Sequence, residues 1–249
     1  MRIGAQLFTV RDLCKDLDSF ADTLAKIAEI GYEYVQVSGT CAYEPQWLKE
    51  QLGKNGLKCV LTHIPADRLT SDPLAVAKDH DVFCCDRVGL GWNAFNLDDG
   101  DTPEAFVEKY LPVAKGLKEG GKLFMYHNHD QEFKKWNGKL VLDHLAEAFP
   151  ADLMGFTLDT FWITAGGGDP AQWVEKLSGR VPVIHLKDFS YGRKMAVIGE
   201  GNINFDRVFE VAEKAGVEYM LVEQDDCNGE NPLDCLARSY NYLKSKGFR

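Results

Sequence analysis

One feature constrains this chain more than any other. A short apolar run, a polar turn and a longer amphipathic stretch recur along all 249 residues. Eight runs rich in Val, Ile, Leu, Phe or Tyr fit β-strands: Arg2–Phe8, Tyr32–Val37, Lys58–His63, Arg87–Leu90, Lys122–His127, Leu153–Leu158, Val181–Leu186 and Tyr219–Val222. Between them, Asp18–Ile30 sets Phe20, Leu24, Ile27 and Ala28 on one helical face and stops at Gly31. Thr102–Lys118 opens with Thr-Pro-Glu, an N-cap followed by proline at the first helical position. Phe205–Ala215 ends at Gly216, and Asn231–Lys246 starts with Asn-Pro. Eight strands at roughly 31 residues per unit match the ~250-residue (β/α)8 barrel. An open doubly wound sheet would place a glycine-rich turn after its first strand; here that turn reads Phe8-Thr9-Val10-Arg11-Asp12. No linker divides the chain, so a single α/β domain, one (β/α)8 TIM barrel over residues 1–249, is expected. The segment Asp130–Leu140 holds Asn137-Gly138, a hairpin signal, and is expected to cover one rim.

Charge narrows the function classes. With 28 Lys+Arg against 38 Asp+Glu, the formal net charge is −10, which argues against a broad phosphate-binding surface. No run has the apolar length of a bilayer span, and the first ten residues lack the marks of a signal peptide. Seven cysteines without paired C-x-x-C spacing do not suit a disulfide framework or a zinc ribbon. A cytoplasmic location and no membrane or nucleic-acid partner are expected, with Cys84 and Cys85 as buried thiols.

In such a barrel, chemistry sits at the C-terminal ends of the strands. Strand three ends at His63, strand five in Tyr126-His127-Asn128-His129-Asp130, and strand six in Leu158-Asp159-Thr160-Phe161-Trp162. Strand seven ends in Ile184-His185-Leu186-Lys187-Asp188, and strand eight in Val222-Glu223-Gln224-Asp225-Asp226. Four successive strands thus end in metal-type donors, His127, Asp159, His185 and Glu223, about one βα unit apart. Mixed nitrogen and oxygen donors suit Mn, Co or Zn better than Ca. The two-residue period puts His127 and His129 on one face with Asn128 toward the helices, and pairs His185 with Lys187. A lysine in a barrel mouth is costly unless it works or is paired, so Lys187 is either a catalytic group or an ion-pair partner of Asp188 or Glu223. His63 reads equally well as a ligand or a hydrogen-bonded strand end. His80 and His144 read as surface residues, and Trp47, Trp136 and Trp173 as helix packing or rim contacts. Gly166–Gly168 with Asp169 reads as a loop before a helix starting at Pro170, and Glu200 as a partner of Arg193.

The segments YHNHDQEF (Tyr126–Phe133), LDTFW (Leu158–Trp162), HLKDF (His185–Phe189), GEGNINF (Gly199–Phe205), VEQD (Val222–Asp225) and GAQLFTVRD (Gly4–Asp12) resemble the xylose-isomerase-like TIM-barrel family. That family comprises sugar or sugar phosphate isomerases and epimerases, ketose epimerases and inosose dehydratase among them. The resemblance implies one divalent metal ion (Mn, Co, Zn or Mg) held by Glu, Asp, His and Glu from strands five to eight. Asp159, His185 and Glu223 take three of those places; the first Glu place falls on His127, a departure from the pattern. In ketose epimerases the two Glu residues resemble a matched acid/base pair, so losing one leaves the proton shuttle asymmetric.

The implied activity is a metal-dependent isomerase or epimerase that abstracts a proton next to a carbonyl through a metal-stabilised enediolate. A ketosugar or inosose-type dehydratase or lyase is the alternative. Glu223, or Lys187 with a depressed pKa, would take the proton, and His129 or Glu132 would be the second acid/base. His63, Trp92, Trp162, Arg193 and Glu132 are expected to bind substrate, with Phe8 as a further apolar face. Two rivals are weaker. An endonuclease IV-like phosphodiesterase with a trinuclear zinc site asks for more ligands than six histidines readily supply, and a non-catalytic sugar-binding barrel would not need Asp159, His185 and Glu223. The expected partner is a sugar or sugar phosphate, and the outer helices leave room for a homodimer.

Overall fold

The computed structural model describes residues 1–248 and shows a closed eight-stranded parallel barrel. Its strands are β1 (Arg2–Gln6), β2 (Tyr34–Val37), β3 (Lys58–His63), β4 (Arg87–Leu90), β5 (Leu123–His127), β6 (Met154–Asp159), β7 (Val183–Leu186) and β8 (Tyr219–Val222). Each pairs with its neighbours in chain order, and β8 closes on β1 through Arg2↔Tyr219 to Ala5↔Val222. All eight strands predicted from the sequence are present, trimmed at some ends. Gly4 shows why the first strand tolerates no side chain at its centre. A Cβ there would lie 2.5 Å from Leu221 Cδ2 and 2.8 Å from the Tyr34 carbonyl oxygen. Val60, Leu61, Met125, Val183, Tyr219 and Leu221 form a small cluster of their own beside the main core. That main core lies between the strands and the helices that wrap them, where Phe20, Phe106, Tyr110 and Phe124 are fully enclosed.

Helix α1 (Leu17–Ile30) starts in a capping box of Asp16 and Ser19 and ends at Gly31 with φ 115°. The sequence also predicted the helices Pro103–Glu119, Phe205–Ala215 and Pro232–Ser245 within a residue or two. Pro45–Lys54, Ala66–Ser71, Pro73–Val82 and Val141–Ala148 are helices it did not mark. Asn137 and Gly138, at φ 47° and 86°, turn a short hairpin between Lys135–Trp136 and Lys139–Leu140, as the Asn-Gly pair predicted.

Three expectations change. His80 is buried, not a surface residue, with its ring nitrogens 2.7 Å from Thr62 Oγ1 and 2.7 Å from the Val76 carbonyl oxygen. Cys85 is buried but Cys84 is exposed, because its φ of 56° turns it outward at the end of a helix. Glu200 pairs with Arg238 instead of Arg193.

After β7 the chain makes a second hairpin, Asp188–Ser190 with Lys194–Ala196. Asp188 fixes its base. Its carboxylate accepts from the backbone N–H groups of Phe189, Gly199, Gly201 and Ile203 at 2.8, 2.9, 2.9 and 3.2 Å. One carboxylate therefore satisfies four backbone donors, three of them in the GEGNI loop. Asp188→Ala is expected to lower the unfolding free energy by about 2–4 kcal/mol, measured by urea denaturation. A loss below about 1 kcal/mol would show that water replaces the carboxylate.

Candidate metal centre at the barrel mouth

The C-terminal ends of β5, β6, β7 and β8 bring His127, Asp159, His185 and Glu223 together. One donor atom from each lies within 4.8 Å of all the others, and all four residues are buried. In each residue a second polar atom is engaged elsewhere. Asp159 ends β6 and caps the helix Thr160–Ala165, its Oδ1 accepting from Trp162 N at 2.9 Å. Glu223 Oε1 accepts from Gln6 Nε2 at 2.9 Å. His185 Nε2 sits 2.6 Å from Gln36 Oε1, and His127 Nδ1 faces the Thr157 carbonyl oxygen at 3.4 Å. The remaining atoms point inward: His185 Nδ1 lies 2.8 Å from Glu223 Oε2, His127 Nε2 lies 3.9 Å from Asp159 Oδ2, and the two carboxylate oxygens share only the ammonium of Lys187. Donor atoms converging from four strands, each residue oriented from behind, fit one divalent cation.

The charge state agrees with that role. Burial, reinforced by neighbouring imidazoles and Lys187, holds His127 well below its ordinary pKa. Burial and Lys187 do the same to His185. Both rings are therefore neutral and offer lone pairs. Burial lifts Asp159 to about 7, Lys187 opposing and Glu223 adding to the rise. Lys187 resolves the sequence alternatives. Its Nζ is 3.1 Å from Asp159 Oδ2, 3.1 Å from Glu223 Oε2 and 2.9 Å from Asp225 Oδ2. Burial pulls this ammonium down, but the three carboxylates outweigh burial and raise its pKa above the ordinary value. Lys187 thus pairs with Asp159, Glu223 and Asp225 instead of Asp188.

Above the cluster is a cavity of about 440 Å³ bordered by His63, His127, His129, Lys187, Glu223 and Asp225, with Phe8 and Trp92 among its apolar residues. His63 ends β3 inside it, with Nδ1 3.2 Å from Ser38 Oγ and Nε2 unpartnered. His129 shares the face of His127, their ring centroids 4.7 Å apart, as the strand period predicted. Asn128 points instead to β6, its Oδ1 accepting from Asp159 N at 3.0 Å. Trp92 is 60% exposed at the rim.

Three expected substrate contacts lie elsewhere. Arg193 is at a hairpin tip and pairs with Asp130. Trp162 packs on His129 at 5.3 Å, outside the cavity wall. Glu132 is fully buried: one oxygen accepts from Tyr126 Oη at 2.5 Å and the other from His129 N at 2.8 Å. It shapes the turn that carries His129 and does not reach the cavity. Gln6, Gln36 and Asp225 were not singled out in the sequence, although a lone glutamine inside an apolar strand is a signal of a buried polar contact.

A model of the xylose isomerase-like TIM barrel family matches residues 24–246. Inosose dehydratase of Clostridium perfringens is 28% identical over 166 residues, covering 56% of this chain and 55% of that protein, so the chain spans about half the length of the curated relatives it matches. A sugar phosphate isomerase/epimerase from Parabacteroides distasonis superposes with a TM-score of 0.81 at 20% identity, over 98% of this chain and 93% of that one. The probable 3-DHS dehydratase of petrobactin synthesis from Bacillus anthracis gives 0.74 at 16% identity, over 98% of this chain and 99% of that one. At these identities the structural likeness is one of fold.

Two outcomes follow from this geometry. Gln36→Leu, which frees the back of His185, is expected to weaken Mn²⁺ binding by about 10- to 100-fold in a chelator competition assay. Wild-type affinity in that variant would remove Gln36 from the site. Burial raises Glu132 to about 7. Its contribution to stability is therefore full below the unfolded pKa near 4.5 and is lost as pH rises through about 7. Denaturation from pH 4 to 8 should show a fall on the order of 3 kcal/mol that is absent in Glu132→Gln. An unchanged slope in the variant would assign the pH dependence to another group.

Proposed function

This chain belongs to the xylose isomerase-like TIM barrel family, and on that footing we propose that it is a divalent-metal-dependent enzyme that removes a proton next to the carbonyl of a sugar or related polyol. The observation that carries the reading is the set of four inward donor atoms, one from each of four adjacent strands, whose partner atoms are tied behind them. A divalent cation held by His127, Asp159, His185 and Glu223 would supply Lewis acidity, acidifying the C–H beside a chelated carbonyl. Glu223 borders the cavity and is the base. Lys187 offsets the negative charge that develops beside it. His63 Nε2 and His129 Nδ1, buried and unpartnered, are hydrogen-bonding atoms for hydroxyls. Phe8 and Trp92 offer apolar faces to sugar C–H groups.

Elimination of water is the outcome these residues support best. Of the four donors, only Glu223 is both a carboxylate and part of the cavity wall. His127 stands where a second glutamate would complete a two-carboxylate shuttle, so proton return to the opposite face lacks its partner. The inosose dehydratase relatives favour the same outcome. Stereochemical inversion is the second reading, favoured by the placement of His129 and Lys187 beside the same cavity.

Free ketoses and inososes should be incubated with the Mn²⁺-loaded protein in D₂O and followed by NMR. Loss of water to an unsaturated carbonyl product is expected, with Glu223→Gln slower by about 10³-fold. Deuterium entering a stereocentre without loss of water would establish epimerisation instead.

A further inference from the structure

We propose that the cavity takes an uncharged carbohydrate and rejects its phosphorylated counterpart. The inference rests on the sugar reading above and names the substrate class of that site. Its basis is the disposition of charge. Among the described residues, Lys187 is the only Lys or Arg in the cavity wall, and it is already committed to Asp159, Glu223 and Asp225. Three carboxylates thus surround one ammonium, a balance that a divalent cation brings to neutrality. No positive charge is then left for a phosphate, whose recognition rests on forked guanidiniums or free ammoniums.

Two nearby guanidiniums are also engaged. Arg11 donates to the carbonyl oxygens of Phe8 and Asp225 at 2.8 and 3.0 Å and lies 4.4 Å over the Phe8 ring. Arg193 is paired with Asp130. The unpartnered atoms of the cavity wall have the opposite character. Asp225 Oδ1 is buried and can only accept when ionised, while His63 Nε2 and His129 Nδ1 are single ring nitrogens. Hydroxyl groups, which both donate and accept, complement this set. A phosphate dianion, which only accepts, would bring its oxygens against Asp225 and Glu223. The rim residue Trp92 and the half-buried Phe8 add apolar surface, which suits a sugar C–H face and does nothing for an anion.

Calorimetric titration of the full-length, Mn²⁺-loaded protein tests this with matched probes: a free ketohexose and its 6-phosphate, an inosose and its phosphate monoester, and inorganic phosphate alone. The expected result is that the free member of a pair binds at least tenfold more tightly than its phosphate ester, and that inorganic phosphate does not compete. Tighter binding of a phosphate ester, weakening as salt is raised, would overturn the proposal, as would competition by inorganic phosphate at the same site. Failure of the sugar reading has its own signature: neither member of any pair binds although metal is present, which overturns both.

Discussion

Two buried carboxylates and a half-buried one share one buried ammonium at the mouth of this barrel, and most of the local architecture follows from that arrangement. Asp159, Glu223 and Asp225 approach Lys187 at 2.9 to 3.1 Å. An excess of buried negative charge is expensive unless something positive compensates it. The protein meets the cost in two ways. Lys187 supplies one charge, fixed at its backbone by Thr160 Oγ1, which accepts from Lys187 N and donates to Lys187 O. The remaining excess sits on Asp159 Oδ2 and Glu223 Oε2, which share that one ammonium and face two imidazole nitrogens, and a divalent cation is the natural complement of such a set.

The barrel converts sequence-distant residues into that constellation because strand ends converge. Gln6 on β1 holds Glu223 on the neighbouring β8, and Gln36 on β2 reaches His185 on β7. Asp159 joins strand and helix, so the residue that offers Oδ2 to the cluster also caps the helix Thr160–Ala165. Loops beyond the strand ends are fastened separately. Asp188 gathers four backbone donors, and the Asp188–Ala196 hairpin contacts the β8 exit, where Asn228 Nδ2 donates to the Met195 carbonyl oxygen at 2.9 Å.

Much of this was legible in the sequence, for physical reasons. Parallel barrel strands are covered on their outer face, so they read as short apolar runs, and all eight did. His127, Asp159, His185 and Glu223 stood out because each follows such a run by position alone. Other features depended on partners that no local pattern reveals. Helix Pro45–Lys54 is mostly polar, with Trp47, Leu48 and Leu52 as its packing residues. His80 resembles the polar end of a helix until Thr62 is seen across the layer. Glu132 lies beside the His-Asn-His segment in sequence, yet its carboxylate turns back to Tyr126 and the His129 backbone. Gln36 acts on a histidine 149 residues away.

Diffraction from crystals soaked in Mn²⁺, with an anomalous difference map, addresses the central claim most directly. One peak per chain is expected within bonding distance of His127 Nε2, Asp159 Oδ2, His185 Nδ1 and Glu223 Oε2, with Lys187 retained by Asp225. A map with no peak among these atoms, and Lys187 still bridging Asp159 and Glu223, would contradict the account.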